Sequence, residues 1–254
     1  MRSQFWGLYA REILRTFRNP FVVLVTVVQP FMWLAFFGSG FAQYAKDLAS
    51  VYGTSNYIEF LLPGVLSTSM LSIGMFGSMS TIQDKRFGFM KRILITPTSK
   101  EVIFLSKAFG SATRGLIQIP VMVAAAVAFG VSFTLSPLDW LVWVLTLLFA
   151  AVGFSSMFLA ITASSTDWQT PGVVSNFLTM PLMFSSAALY PSSGFPGWMK
   201  EISRFNPISY TAIFGRNLVL TGAIDWTASG YVLLFGVAMV VIGYVVSARW
   251  LKVE

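Results

Sequence analysis

Histidine and cysteine are both absent from this chain, and only ten of its 254 residues are Asp or Glu. Without cysteine there are no disulfides and no thiolate chemistry, although that absence assigns no compartment. Without histidine there are no imidazole metal ligands, no Ser-His or Cys-His dyad and no ordinary general base near neutral pH. The dipeptide Gly-Lys occurs nowhere, so the phosphate loop G-x-x-x-x-G-K-[ST] is missing and the chain is not its own P-loop ATPase. Charged residues make up 11% of the sequence, against about 25% in soluble proteins. No polar stretch remains from which a soluble domain could be built.

What the chain does contain is apolar length. Residues 19–45, 60–83, 115–138, 140–166, 168–199 and 226–248 carry no Asp, Glu, Lys or Arg. Each run exceeds the roughly 20 apolar residues that cross a hydrocarbon core. Acidic residues are confined to the ends of these runs and the loops, so proton relays, ion-coupled carriers and intramembrane aspartyl or serine proteases lack their side chains. A pore built on backbone carbonyls needs none of them, but no filter-like repeat is visible. Energy for any transport must therefore enter from outside the spans.

The net charge of +7 is a topology signal rather than a nucleic-acid footprint. Only Lys46, Lys200, Arg204 and Arg216 fall in alternate loops; the other thirteen of seventeen Lys and Arg lie at the N-terminus, around 84–114 and after the last run. Acidic residues divide evenly, so the bias is one of Lys and Arg, which puts both termini in the cytoplasm of a multi-pass inner or plasma membrane protein. Nucleic acid is not an expected partner; the lipid bilayer is. Residues 1–18 place Phe5, Trp6, Tyr9, Ile13 and Phe17 opposite Arg11, Arg15 and Arg18 at roughly helical spacing, the pattern of a helix lying in the membrane interface.

The expected fold is an all-α integral membrane protein, residues 1–254 forming one domain. It has six transmembrane helices, an N-terminal interface helix, a cytoplasmic connector at 84–101 and an external re-entrant segment at 191–225. Span one follows Asn19-Pro20 and carries Gln29-Pro30. Lys46 and Asp47 lie on an external loop. Span two runs from near Ile58 to near Gln83, with Gly74, Gly77, Ser78 and Thr81 spaced for close helix approach. The connector alternates bulky apolar and basic residues until Pro97 breaks it, a pattern that suits a lipid-facing element and a docking helix equally. Span three runs from about Lys107 to Gly130 with Pro120 in its middle, and Arg114 is expected to snorkel to the interface. Ser136-Pro137-Leu138-Asp139 turns into span four, and span five begins at Pro171. Its charge-free run is too long for one span, and Pro191, Gly194, Pro196 and Gly197 break it. The last span ends before Arg249 and Lys252.

Two segments together resemble the permease subunit of type-2 ABC exporters, the class that handles drugs, lipids and polysaccharides. One is the connector, Thr81-Ile82-Gln83-Asp84-Lys85-Arg86 followed by Lys91-Arg92 and Ile95-Thr96-Pro97-Thr98-Ser99. The other is Met180-Pro181-Leu182-Met183-Phe184-Ser185, Tyr190-Pro191, Phe195-Pro196-x-Trp198 and Asn206-Pro207-Ile208-Ser209-Tyr210, with Arg216 beyond. The resemblance implies a half-transporter that moves an amphipathic drug or lipid outward. It would pair with a second permease copy, identical or not, and with a separate soluble ATP-binding subunit. ATP and Mg would be bound by that subunit, and this chain would hold no cofactor, metal or catalytic residue. It further implies coupling surfaces at Asp84, Lys85, Arg86, Phe87, Met90, Lys91, Arg92, Pro97, Arg11 and Arg15, and an external gate at Pro191, Pro196, Trp198, Asn206, Pro207 and Tyr210. Gln29, Asn206 and Arg216 equally suit amide packing, a helix start and an interface anchor. A lipid-linked polysaccharide is the alternative cargo; a stand-alone channel or structural membrane protein is the alternative class.

Overall fold

The computed structural model describes residues 2–41, 54, 56–165, 167 and 169–250. The expected external Lys46 and Asp47, and Lys252, lie outside the described residues. The helices are α1 (Arg2–Phe17), α2 (Pro20–Gly40), α3 (Tyr57–Arg86), α4 (Phe89–Leu94), α5 (Lys100–Leu116), α6 (Gln118–Ala128), α7 (Pro137–Ser164), α8 (Thr170–Phe184), α9 (Gly197–Phe205), α10 (Pro207–Thr221) and α11 (Trp226–Trp250). No strand occurs among the described residues. Five stretches are long and apolar enough to cross a membrane: Val23–Gly40, Tyr57–Arg86, Lys100–Ala128, Pro137–Ser164 and Trp226–Arg249.

Local chemistry sets most of these boundaries. Pro137 sits at the first turn of α7, and Ser136 and Asp139 form a reciprocal capping box that satisfies two of the helix's free N–H groups. Asn56 and Asn206 accept from the N–H groups of Ile58 and Ile208, starting α3 and α10. Asp167 accepts from the Thr170 hydroxyl and from the Thr170 and Gln169 N–H groups at the start of α8, bonds that hold its carboxylate below the usual range. Span three is broken between α5 and α6 because Pro120 has no N–H and its ring crowds the carbonyl of Leu116, four residues earlier.

The helix α3 is the spine: 83% of its apolar window is buried, against 17% for α2 and 22% for α11. The small residues that suggested close approach provide it. A Cβ at Gly74 would stand 2.7 Å from the Ser155 nitrogen and 2.8 Å from the Phe154 carbonyl carbon on α7, and one at Gly77 would overlap the Ser111 side chain on α5. Backbone cannot yield as a flexible side chain does, so Gly74→Ala is expected to cost about 1–3 kcal/mol. That loss would show as a lower thermal midpoint in detergent; an unchanged midpoint would mean α3 and α7 are not in such contact.

The fifth expected span differs. The helix α8 has only 15 residues, about 22 Å of rise against a hydrocarbon core of about 30 Å. Residues 185–190 continue without helix, yet Ser185 to Leu189 are buried. Together they pass from one end of the bundle to the other. At the α3 C-terminus Lys85 reaches the Ser165 carbonyl, whereas at its N-terminus the Tyr57 hydroxyl donates to the Leu189 carbonyl at 3.1 Å. The helix can stop early because side chains take its carbonyls. Asn206 donates to Leu182 at 2.6 Å and Tyr190 to Phe184 at 2.6 Å. Non-helical backbone at membrane depth needs such partners within the protein.

Candidate functional site

A buried charge cluster organises the end of the bundle where α1, α4 and the first turns of α5 meet the last turn of α3. Asp84 of α3 is 3% exposed and Glu12 of α1 is 1% exposed. Arg11 grips Asp84 with both guanidinium arms, Nη2 to Oδ1 at 2.6 Å and Nη1 to Oδ2 at 3.1 Å, a geometry only arginine offers. The Lys107 ammonium, nearly buried on α5, bridges the two acids at 2.6 Å to Asp84 and 3.1 Å to Glu12. Arg15 adds a 3.3 Å contact to Asp84, and Arg114 lies 3.9 Å from Glu12. Burial alone would lower the Arg11 pKa, but the hydrogen bond and charge of Asp84, with Glu12 behind, raise it above the ordinary guanidinium value. The cluster is a three-helix rivet of α1, α3 and α5.

The sequence-derived coupling residues sort by what they touch. Asp84, Arg11 and Arg15 belong to the rivet. Lys85 is spent on the α7 C-terminus, donating to the carbonyls of Thr162, Ala163 and Ser165 at 2.7–3.1 Å, where a cation also meets the negative end of the helix dipole. Met90 is buried with Ile93 and Ile103, packed by Leu8 of α1. Arg86, Phe87, Lys91, Arg92 and Pro97 are exposed. The connector is thus built on a six-residue helix whose inner face is anchored in α1 and α5 and whose outer face carries Lys91 and Arg92, with exposed Phe87 just before it. Lys100 was not singled out from the sequence; it donates to the Ala248 carbonyl at 2.9 Å and ties the connector to the end of α11.

A cavity of about 680 Å³ opens beside the rivet, between α2, α3 and α8. Val25, Trp33, Ile73, Phe76 and Met180 line its apolar walls, and Gln29, exposed rather than packed, lies among them with Asn176 and Thr179. Arg15, Gln83, Arg114 and Gln118 line the same cavity. Arg114 therefore does not snorkel outward. Its side chain is 12% exposed, held between Glu12 and the cavity, because α1 covers the route to the surface.

At the opposite end, α9 carries Trp198, Ile202 and Phe205 as an exposed stripe with four- and three-residue spacing, the form of a helix lying along an apolar boundary. Pro196 and Pro207 begin α9 and α10, Pro191 precedes the 3-10 turn at Ser192–Gly194, and the Tyr210 hydroxyl donates to the Arg204 carbonyl at 2.9 Å. Asn206 both starts α10 and holds the end of α8. Arg216 is no interface anchor: it is 4% exposed and donates to the carbonyls of Phe60, Ala187 and Ala188, with its guanidinium 3.6 Å from the Phe60 ring centre.

Long apolar helices, an anchored connector and a short α8 with a buried, non-helical continuation are the features to set beside known proteins. Residues 3–220 match the family described as ABC-2 type transporter. The chain belongs to the ABC-2 type transporter family. Relatives include a putative transport permease ycf38 of Cyanophora paradoxa, 30% identical over 213 residues covering 82% of this chain and 71% of that one. A protein of the same description from Porphyra purpurea is 28% identical over 247 residues, 95% and 81% of the two chains. The daunorubicin resistance ABC transporter permease protein DrrB1 of Streptomyces coeruleorubidus is 23% identical over 221 residues, 87% and 75%. This ABC-2 chain is thus a membrane permease of an ABC transporter, and the rivet, connector and cavity are features of its transport subunit.

Proposed function

We propose that this permease is the membrane half of an ATP-driven exporter of amphipathic molecules, docking a separate ATP-hydrolysing subunit on the exposed face of α4 and pairing with a second permease copy, most simply its own. The carrying observation is the rivet: α4 is packed onto α1 and α5 while Asp84 pins both to α3, so a displacement imposed on the connector moves three helices together. The Lys and Arg bias sets this end in the cytoplasm. The short α8 and its buried continuation make a sixth crossing, and α9 with α10 form the outer gate. The cavity between α2, α3 and α8 holds the cargo; its size lies in the range of small-molecule sites. Exposed Phe21 and Phe36 on α2 and Val173 and Phe177 on α8 are the faces a second copy covers. The drug-resistance relative supports an amphipathic cargo.

Lys91 and Arg92 are exposed, so exchanging both for Glu should leave the thermal midpoint unchanged while reversing the charge offered to the partner. Export by the reconstituted pair is expected to fall about tenfold or more, with ATP hydrolysis no longer tied to transport. Retained assembly and retained coupled export in that variant would remove α4 as the docking face. Full transport by the isolated chain, with no ATPase present, would remove the exporter reading itself.

A further inference from the structure

The rivet's charges do not balance. Four cations, Arg11, Arg15, Lys107 and Arg114, surround two carboxylates, Glu12 and Asp84. Arg11 and Lys107 make the short contacts, so the surplus falls on Arg15 and Arg114, the two that line the cavity. The Nε of Arg114 is buried with no hydrogen-bond partner. One turn on, Gln118 is 1% exposed and lines the same cavity, yet neither its Oε1 nor its Nε2 has a hydrogen-bond partner. A buried amide left wholly unpaired costs free energy that a leucine there would not. Water could satisfy Gln118, and it screens Arg15, which is about a third exposed, but it would not offset the nearly buried charge of Arg114, whose nearest carboxylate oxygen is 3.9 Å away. Above this polar end the walls are apolar, with Val25, Trp33 and Phe76.

We infer that the Arg15, Arg114 and Gln118 end of the cavity binds the anionic headgroup, phosphate or carboxylate, of an amphiphile whose apolar part lies along α2 and α3. The inference rests on the cavity being the cargo site proposed above. An anion accepts from both guanidinium groups and from the Gln118 amide, converting the two unfavourable burials of Arg114 and Gln118 into charge-assisted hydrogen bonds, with Arg15 adding a partly exposed third. A cationic amphiphile would set its charge against Arg15 and Arg114.

The test uses the full chain purified in detergent and two fluorescent probes with the same acyl chain, a lysophosphatidate and a lysophosphatidylcholine. The phosphate-headed probe should bind at least about tenfold more tightly, and Arg114→Gln should remove about that factor, the size expected for one charged hydrogen bond. Gln118→Leu should weaken binding severalfold while leaving the thermal midpoint equal or higher, a pairing that a packing role cannot produce. Equal affinity for both probes, or unchanged binding in both variants, overturns the site. ATP-dependent movement of the lysophosphatidate in proteoliposomes with the partner ATPase identifies the anion as cargo. Copurification of an anionic phospholipid without such movement identifies it as a resident lipid; the headgroup site stands in both cases. An exporter that moves only cationic amphiphiles, independently of Arg114, overturns this inference and leaves the exporter reading. Selective phosphate-head binding by a chain that transports without an ATPase does the reverse.

Discussion

Asp84→Ala is expected to destabilise the permease by about 3–5 kcal/mol, the range for removing one partner from a buried ion pair. The loss comes less from attraction forgone than from charge stranded. Lys107 is 5% exposed and would keep Glu12 alone, at 3.1 Å, while sharing it with Arg11 and Arg114. Arg11 and Arg15 are about a third exposed, so water screens them, and the larger share falls on Lys107. The measurable consequence is a drop in thermal midpoint together with earlier proteolytic release of α1, because Asp84 is where α1 and α5 both meet α3. A second substitution decides the mechanism. Lys107→Met in the Asp84→Ala background removes the stranded cation, and the double variant should be more stable than the two single losses summed. If the losses simply add, the cluster is not a coupled unit, and a force applied at α4 has no such route into the spans.

The sequence alone carried five of the spans, their order and most of the punctuation, since those depend on residues near one another in the chain. Ser136-Pro137-Leu138-Asp139 encodes its own capping box, and Asn206-Pro207 its own helix start. Gly74 and Gly77 encode a close approach whatever helix makes it. The candidate site was legible only as a set of basic residues, because the partners that give each its task are remote. Glu12 meets Lys107 across 95 positions and Arg11 meets Asp84 across 73. Glu12 drew no attention, being one acid within an arginine-rich helix. Lys85 and Lys91 look alike in the connector, yet Lys85 closes the end of α7 while Lys91 is exposed. Arg114 and Arg216 misled for one reason: a lone arginine near a span end normally snorkels, and only the packing of α1 over one and of residues 185–189 over the other turns them inward. The brevity of α8 was hidden too, since a charge-free run does not say where its helix stops.

Arg216→Met should destabilise the opposite end of the molecule nearly as much, and it separates a structural arginine from a transport one. The guanidinium is the shared donor for three buried carbonyls, those of Phe60, Ala187 and Ala188. The first lies on α3, and the other two are in the stretch where α8 has ended and no helical N–H is available. The Phe60 carbonyl keeps the Gly64 N–H of its own helix, so the two left without a donor are those of Ala187 and Ala188, at about 1–3 kcal/mol each. Methionine fills similar volume and also removes the cost of burying a charge, which offsets part of the loss, so a net of about 2–3 kcal/mol, toward the low end of that sum, is expected. Arg216→Lys keeps the charge but lacks the planar fork that reaches three acceptors at once, and should fall between. The thermal midpoints of the three proteins in detergent should rank arginine, lysine, methionine, and amide exchange at residues 185–190 should accelerate in the same order reversed. A methionine variant as stable as the parent, with lowered export, would instead make Arg216 a participant in transport and leave residues 185–189 held by packing alone.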